Sequence, residues 1–228
     1  MQHDVKSWYN GLTDKWEKCY SSKKKHFVQR LKNVHVLVKE LKKNANILDI
    51  GCGTGEITSS LHKRFGCNTI GIDISQKMVE HCRSRYTGKN LHFEEGNISD
   101  LKFQSRKFDL TLSLSIIEWL VDYEKAIKEV ARVLKHNGQW IVSLPNWASP
   151  FRKIEYLKSK FSKDSYLKYQ KNSITIPEFL DLARTHGLEI RQSIFHVLPL
   201  LASNLKGRIG SLFGMMCILS MEKVNNSR

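Results

Sequence analysis

An apolar run, Ile47-Leu48-Asp49-Ile50, leads straight into glycines at 51, 53 and 55. Glycine at every second position lets a backbone turn sharply out of a strand and lets a ligand come close where a Cβ would stand. A second apolar run ends in Asp73, where a carboxylate can accept hydrogen bonds from the sugar of a nucleotide. The dinucleotide fingerprint requires G-x-G-x-x-G, whose last glycine lets the following helix pack on the strand. Position 56 is Glu, so the spacing argues against a pyrophosphate site.

From position 46 onward, strand and helix patterns alternate. The pattern predicts strands at 46–50, 69–73, 91–95, 108–113 and 138–144, with helices at about 55–65, 75–86 and 122–135. Alternation of this kind implies a mostly parallel sheet with helices on both faces. Upstream, Phe27, Leu31, Val34, Val38 and Leu41 share one helical face, which places two helices in residues 6–42. Lys135-His136-Asn137-Gly138 reads as the end of the 122–135 helix. Thr175-Ile176-Pro177-Glu178 is a capping box that opens a helix stopped by Gly187. Strands at 188–197 and 213–222 complete a seven-stranded α/β sheet.

At 228 residues the chain suits one domain. Its parts are N-terminal helices at 1–42, a nucleotide-binding core at 45–146, an insertion at 147–172, and the rest of the sheet at 173–228. The N-terminal residues lack the apolar run of a secretory signal, which suggests a cytoplasmic protein. The five cysteines show no C-x-x-C pair or metal-ligand spacing, so reduced thiols and no metal are expected. Lys206 and Arg208 interrupt the apolar stretch 194–219, so neither half suits a spanning helix. The net charge of +15 raises the question of an anionic partner, but the lysines are dispersed apart from 23–26 and the stretch 152–171. A solvated surface is favoured over a nucleic-acid interface.

The order Asp49-x-Gly51-x-Gly53-x-Gly55 resembles motif I of the class I S-adenosylmethionine (SAM) dependent methyltransferases. The resemblance runs through Asp73, Asn97 and the strand at 108–113, covering roughly 45–200. Phe108 to Pro145 is most similar to the ubiquinone-pathway group. The fold implied is a Rossmann-like sheet, and the cofactor implied is SAM, with S-adenosylhomocysteine as product. By this resemblance Gly51, Cys52, Gly53 and Gly55 form the cofactor loop. Asp49 helps to hold the cofactor's ammonium group, Asp73 holds both ribose hydroxyls, and Ile74 packs on the adenine. Asn97 stands where the family usually has Asp, and its amide oxygen can still accept from the adenine amino group while the Ile98 backbone pairs with the ring. Ser113 would offer its backbone carbonyl to the ammonium group. Ser75 is the better cap for the helix at 75–86, which leaves Asp73 for the ribose. Asp109 lies at the far end of its strand and is read as structural.

A sulfonium methyl is already activated, so transfer needs a nucleophile held in line and a base if that nucleophile carries a proton. The candidates follow the fourth strand in Ser115-Ile116-Ile117-Glu118-Trp119-Leu120. Glu118 is the candidate base, with binding on the cofactor side of the pocket or a plain surface position as alternatives. The ubiquinone-pathway relatives often carry Glu-His here, so Trp119 removes an obvious imidazole. Trp119 is read as a wall of the pocket, and Tyr169 and His196 as residues that could reach a substrate.

The chain lacks the Asn/Asp-Pro-Pro-aromatic motif of amino-directed nucleic-acid enzymes. It also lacks the attacking cysteine of cytosine C5 enzymes and the second glutamate of arginine methyltransferases. A small-molecule acceptor, methylated on oxygen, is the preferred reading. The alternatives are an RNA methyltransferase and a SAM-binding protein without catalysis. The aromatic and basic insertion at 147–172 reads as a lid, whose lysines suit an acidic or phosphorylated substrate or an anionic membrane presenting a lipid-linked one.

Overall fold

The computed structural model describes residues 25–161, 166–196, 204–205 and 211–224. The earlier of the two helices expected in 6–42, Cys19 and Val197 lie outside these residues. The second helix is present as α1, Lys25–Leu37, followed by β1 at Asn46–Ile50, α2 at Glu56–Phe65, β2 at Asn68–Asp73 and α3 at Gln76–Arg85. Next come β3 at Leu91–Glu95, β4 at Phe108–Leu114, α4 at Tyr123–Val133 and β5 at Leu134–Pro145. The insertion contains α5 at Pro150–Phe161 and a 3-10 turn at Tyr166–Tyr169. The remainder is α6 at Ile176–Thr185, β6 at Leu188–His196, β7 at Asn204–Leu205 and β8 at Met216–Lys223.

The strands stand in the order β3-β2-β1-β4-β5-β8-β6-β7. The first five are parallel, while β8 lies antiparallel between β5 and β6. Seven substantial strands agree with the expected count, and the two-residue β7 adds a short edge on Phe195 and His196. The sheet is buried on both faces, so that Asp49, Thr111, Ser113 and Ser143 of its central strands are buried along with their apolar neighbours. Leu48 and Ile50 of β1 join Trp140 and Val142 in one core, whereas Ile47 packs with Leu110, Leu112 and Ile141 in the other. The second core holds Val34 and Leu37 of α1, and Gln139 ties that helix down by donating to the Leu37 carbonyl at 2.7 Å.

The helix expected to close on Gly138 ends at Val133 instead. Phe108 pairs with Leu134 but Leu110 pairs with Gln139, so residues 135–138 loop out of the strand, with Asn137 at φ 59°. A basic-residue-then-glycine signature serves a bulge as well as a helix stop. Asp109 has the structural place expected of it, accepting from the Asn46 amide at 2.8 Å and the Lys135 ammonium at 2.7 Å. The capping box at Thr175 and Glu178 is formed.

Candidate active site

Chain order reverses at β1, whose neighbours are β2 and β4, and in parallel sheets ligands bind beyond the carboxyl ends of the strands at that point. All three loop glycines there take positive φ. Their surroundings differ. A Cβ on Gly51 would stand 2.1 Å from Ile116 Cδ1, and one on Gly55 2.8 Å from Cys82 Sγ. At Gly53 it would meet nothing within 4 Å. The middle glycine therefore lines open space, the cradle a ligand needs, and the outer two let the loop pack.

Asp73 fixes that cradle. Its Oδ2 accepts the Gly53 amide at 2.9 Å and its Oδ1 the Ser75 amide at 2.9 Å. Burial raises its pKa, and the amides of Ser75, Gly53 and Ile74 oppose the rise. The expected division of labour, with Ser75 as cap and Asp73 free, holds only in part: Ser75 accepts from the Met78 amide at 3.4 Å, but Asp73 is engaged with the loop. Each carboxylate oxygen still has acceptor capacity left for a hydroxyl.

Asp49 points toward α2, where Thr58 donates to it at 2.6 Å. Burial pushes its pKa to about 6, against the Thr58 hydrogen bond and the charge of Arg30, with Asp73 adding to the rise. Cys52 shares a hydrogen bond with Cys82, and this contact and burial hold its thiol well above the ordinary range. Beyond β2, a cleft of about 500 Å³ is lined by Ile74, Glu95, Gly96, Asn97, Leu101 and Phe103. Ile98 is buried beside it. The Asn97 side-chain oxygen accepts the Ser99 amide at 3.0 Å and keeps a second lone pair.

After β4 the chain turns at Ser115, φ 56°, whose amide donates to Ser143 Oγ at 2.8 Å. A 3-10 turn at Ile117–Trp119 follows. Glu118, within it, is 5% exposed, and its Oε2 is buried without a hydrogen-bond partner. Burial pushes its pKa to about 7, with its own backbone amide, Arg30 and Arg152 pulling the other way. Trp119 is buried, its indole N–H donating to the Ser115 carbonyl at 2.9 Å. Ser113 is buried too, its hydroxyl accepting from Trp140 at 3.1 Å.

The insertion grips this turn. The Lys171 amide donates to the Glu118 carbonyl at 3.0 Å, and the Asn172 side chain donates to the carbonyls of Ile117 at 2.7 Å and Leu120 at 2.8 Å. Sequence reasoning passed over Asn172, Ser143 and Arg30 and assigned Arg152 to the basic surface of the lid, because nothing in local spacing ties them to position 118. Tyr169 is half-exposed in its 3-10 turn. His196 ends β6 on the same edge of the sheet, but three strands from β4, or about 14 Å at a strand spacing of about 4.8 Å. Among the described residues no cluster of metal-ligating side chains occurs.

A family model described as a methyltransferase domain matches residues 48–142, the span from β1 to β5. Over that span the chain is similar to the class I SAM-dependent methyltransferases. Among solved structures, a SAM-dependent methyltransferase of Thermotoga maritima superposes with a TM-score of 0.72 at 22% identity, covering 96% of this chain and 99% of that one. An uncharacterized protein of Methanocaldococcus jannaschii is 30% identical over 75% of this chain and 64% of its own length. A demethylmenaquinone methyltransferase of Listeria monocytogenes is 28% identical over 63% and 67%. The chain spans less than two thirds of the length of the first curated relatives it matches. Methyltransferases of this kind use SAM, and the open side of Gly53 and the spare acceptor capacity of Asp73 fit that ligand.

Proposed function

We propose that this chain is a SAM-dependent methyltransferase and that it transfers the methyl group to an oxygen atom of a small molecule. The observation that carries the reading is Glu118, a buried carboxyl with a pKa near 7 and an unpartnered oxygen at the carboxyl end of β4. A base poised near neutrality suits an acceptor that must lose a proton, as a hydroxyl does.

Bound SAM would supply an electrophilic methyl group on a sulfonium. Asp73 would hold the ribose hydroxyls, with Gly53 letting the ligand lie against the loop, while Asp49 and the Ser113 carbonyl would take the ammonium group. Ile74, Ile98 and Asn97 would receive the adenine. Glu118 Oε2 would accept the hydroxyl proton as the oxygen attacks, and Arg30 and Arg152 would keep a fraction of Glu118 ionised at neutral pH. Trp119, Tyr169 and His196 are proposed to bound the acceptor side, and 147–172 to close over it.

The test is methyl transfer from labelled SAM to a small-metabolite fraction and, in parallel, to RNA. Label in the metabolites, lost in Glu118→Gln with SAM binding kept, supports the proposal. Label in RNA, or SAM binding without transfer to either fraction, overturns it.

A further inference from the structure

Helix α5 is inside out. Its inward face carries Arg152 and Ser159, 3% and 6% exposed, with Arg152 bonded to Glu155 at 2.8 Å and lying over the Trp147 ring. Its outward face carries Phe151, Ile154, Leu157 and Phe161, the last 91% exposed. At about 100° per residue these four share one side of the helix. A helix packed on a globular core shows the opposite arrangement.

The patch extends beyond the helix. Phe213 lies 6.2 Å from Phe151, ring to ring, and Leu212 beside it is 54% exposed. Seven of the ten large apolar side chains exposed among the described residues belong to α5 or to Leu212 and Phe213, so the exposure is concentrated rather than scattered. Lys153 and Lys160 flank the apolar stripe on one side, and Lys158 stands within it between Ile154 and Phe151, all exposed. Glu155, the acid of this helix, is turned inward to Arg152.

We infer that this face of α5 docks on an anionic phospholipid bilayer, with the apolar stripe in the headgroup boundary and the lysines on lipid phosphates. Charge selects this occupant. A second copy would bring the same lysines against each other, on a chain of net charge +15, whereas RNA would offer nothing for Leu157 and Phe161 to enter. Among the described residues no helix is long and apolar enough to cross a membrane, so the contact is peripheral, as for a helix lying in the interface plane. The inference stands apart from the methyl acceptor, because it uses the side of α5 that faces away from Glu118.

Vesicle co-sedimentation tests it. The full chain should bind phosphatidylcholine vesicles that contain phosphatidylglycerol and leave pure phosphatidylcholine vesicles unbound. The double variant Leu157→Ser/Phe161→Ser should weaken binding by more than about tenfold, and Lys158→Ala by about fivefold. SAM affinity, measured calorimetrically on each variant, should stay unchanged and so report an intact fold. Three results would each overturn the inference: equal binding to the two vesicle types, binding unchanged in the double variant, or a dimer in sedimentation that the double variant dissociates.

Discussion

The Asp73 carboxylate accepts the Gly53 amide at 2.9 Å, joining the end of β2 to the middle of the glycine loop. One side chain thus shapes the cradle it is proposed to serve. Asp73→Ala should lower SAM affinity by about a hundredfold in isothermal titration, the scale of lost hydrogen bonds to a charged group. It should also lower stability by about 1–3 kcal/mol, because two buried amides lose their acceptor. Asp73→Asn keeps one acceptor and should lose less stability but nearly as much affinity. Unchanged SAM affinity in both variants would remove Asp73 from the ribose.

The stability penalty was not legible in the sequence. Strand ends, the glycine turn and the capping box are local patterns, and all three were readable because spacing alone decides them. That Asp73 would spend hydrogen bonds on Gly53, twenty positions upstream, depends on the loop's path. Glu118 was readable as a candidate from its place after β4, yet its burial comes from segments far along the chain, among them Lys171 and Asn172. The end of α4 was misread because the same four residues can stop a helix or bulge a strand, and only the partner strand decides.

Glu118 titrates at about 7 in the folded protein against an ordinary 4.5, so the folded state holds its proton longer than the unfolded chain does. Its contribution to stability is full below about pH 4.5 and is lost as pH rises toward 7, by about 3 kcal/mol. Glu118→Gln should therefore narrow the fall in Tm between pH 5 and pH 8. In the wild type, turnover should climb with pH through about 7 and then level off. Parallel Tm curves for wild type and variant would show that this carboxyl is not the buried group described.

Asp49, at about 6, is proposed to face the ammonium group of SAM, and a cation there favours the ionised carboxylate. SAM affinity should rise with pH through about 6. Calorimetry at that pH in two buffers of different ionisation enthalpy should detect proton release on binding. Asp49→Asn should abolish the release.

The glycines separate by what their missing side chains would meet. Gly53→Ala forces a left-handed residue, costing about 1–2 kcal/mol, but collides with nothing; its main effect should be on SAM affinity, reduced at least about tenfold as the cradle fills. Gly51→Ala drives a methyl into Ile116 and should lower Tm more than Gly53→Ala does. Thermal melts and titrations on the two variants check the contrast.

Asn172→Ala leaves the carbonyls of Ile117 and Leu120 without their donor. Turnover should fall while SAM affinity holds, since the turn that carries Glu118 loses its clamp and the glycine loop does not. Equal losses in both would mean the substitution disturbs the whole fold.

The place of β8 bears on how the chain is made. It is synthesised after β6 yet inserts between β5 and β6, so a nascent chain carries the earlier strands with the outer edge of β5 open until residues 216–223 emerge. An open edge invites pairing with another chain. Fragments that stop short of Met216 should therefore aggregate, even though they contain the whole glycine loop, Asp73 and Glu118.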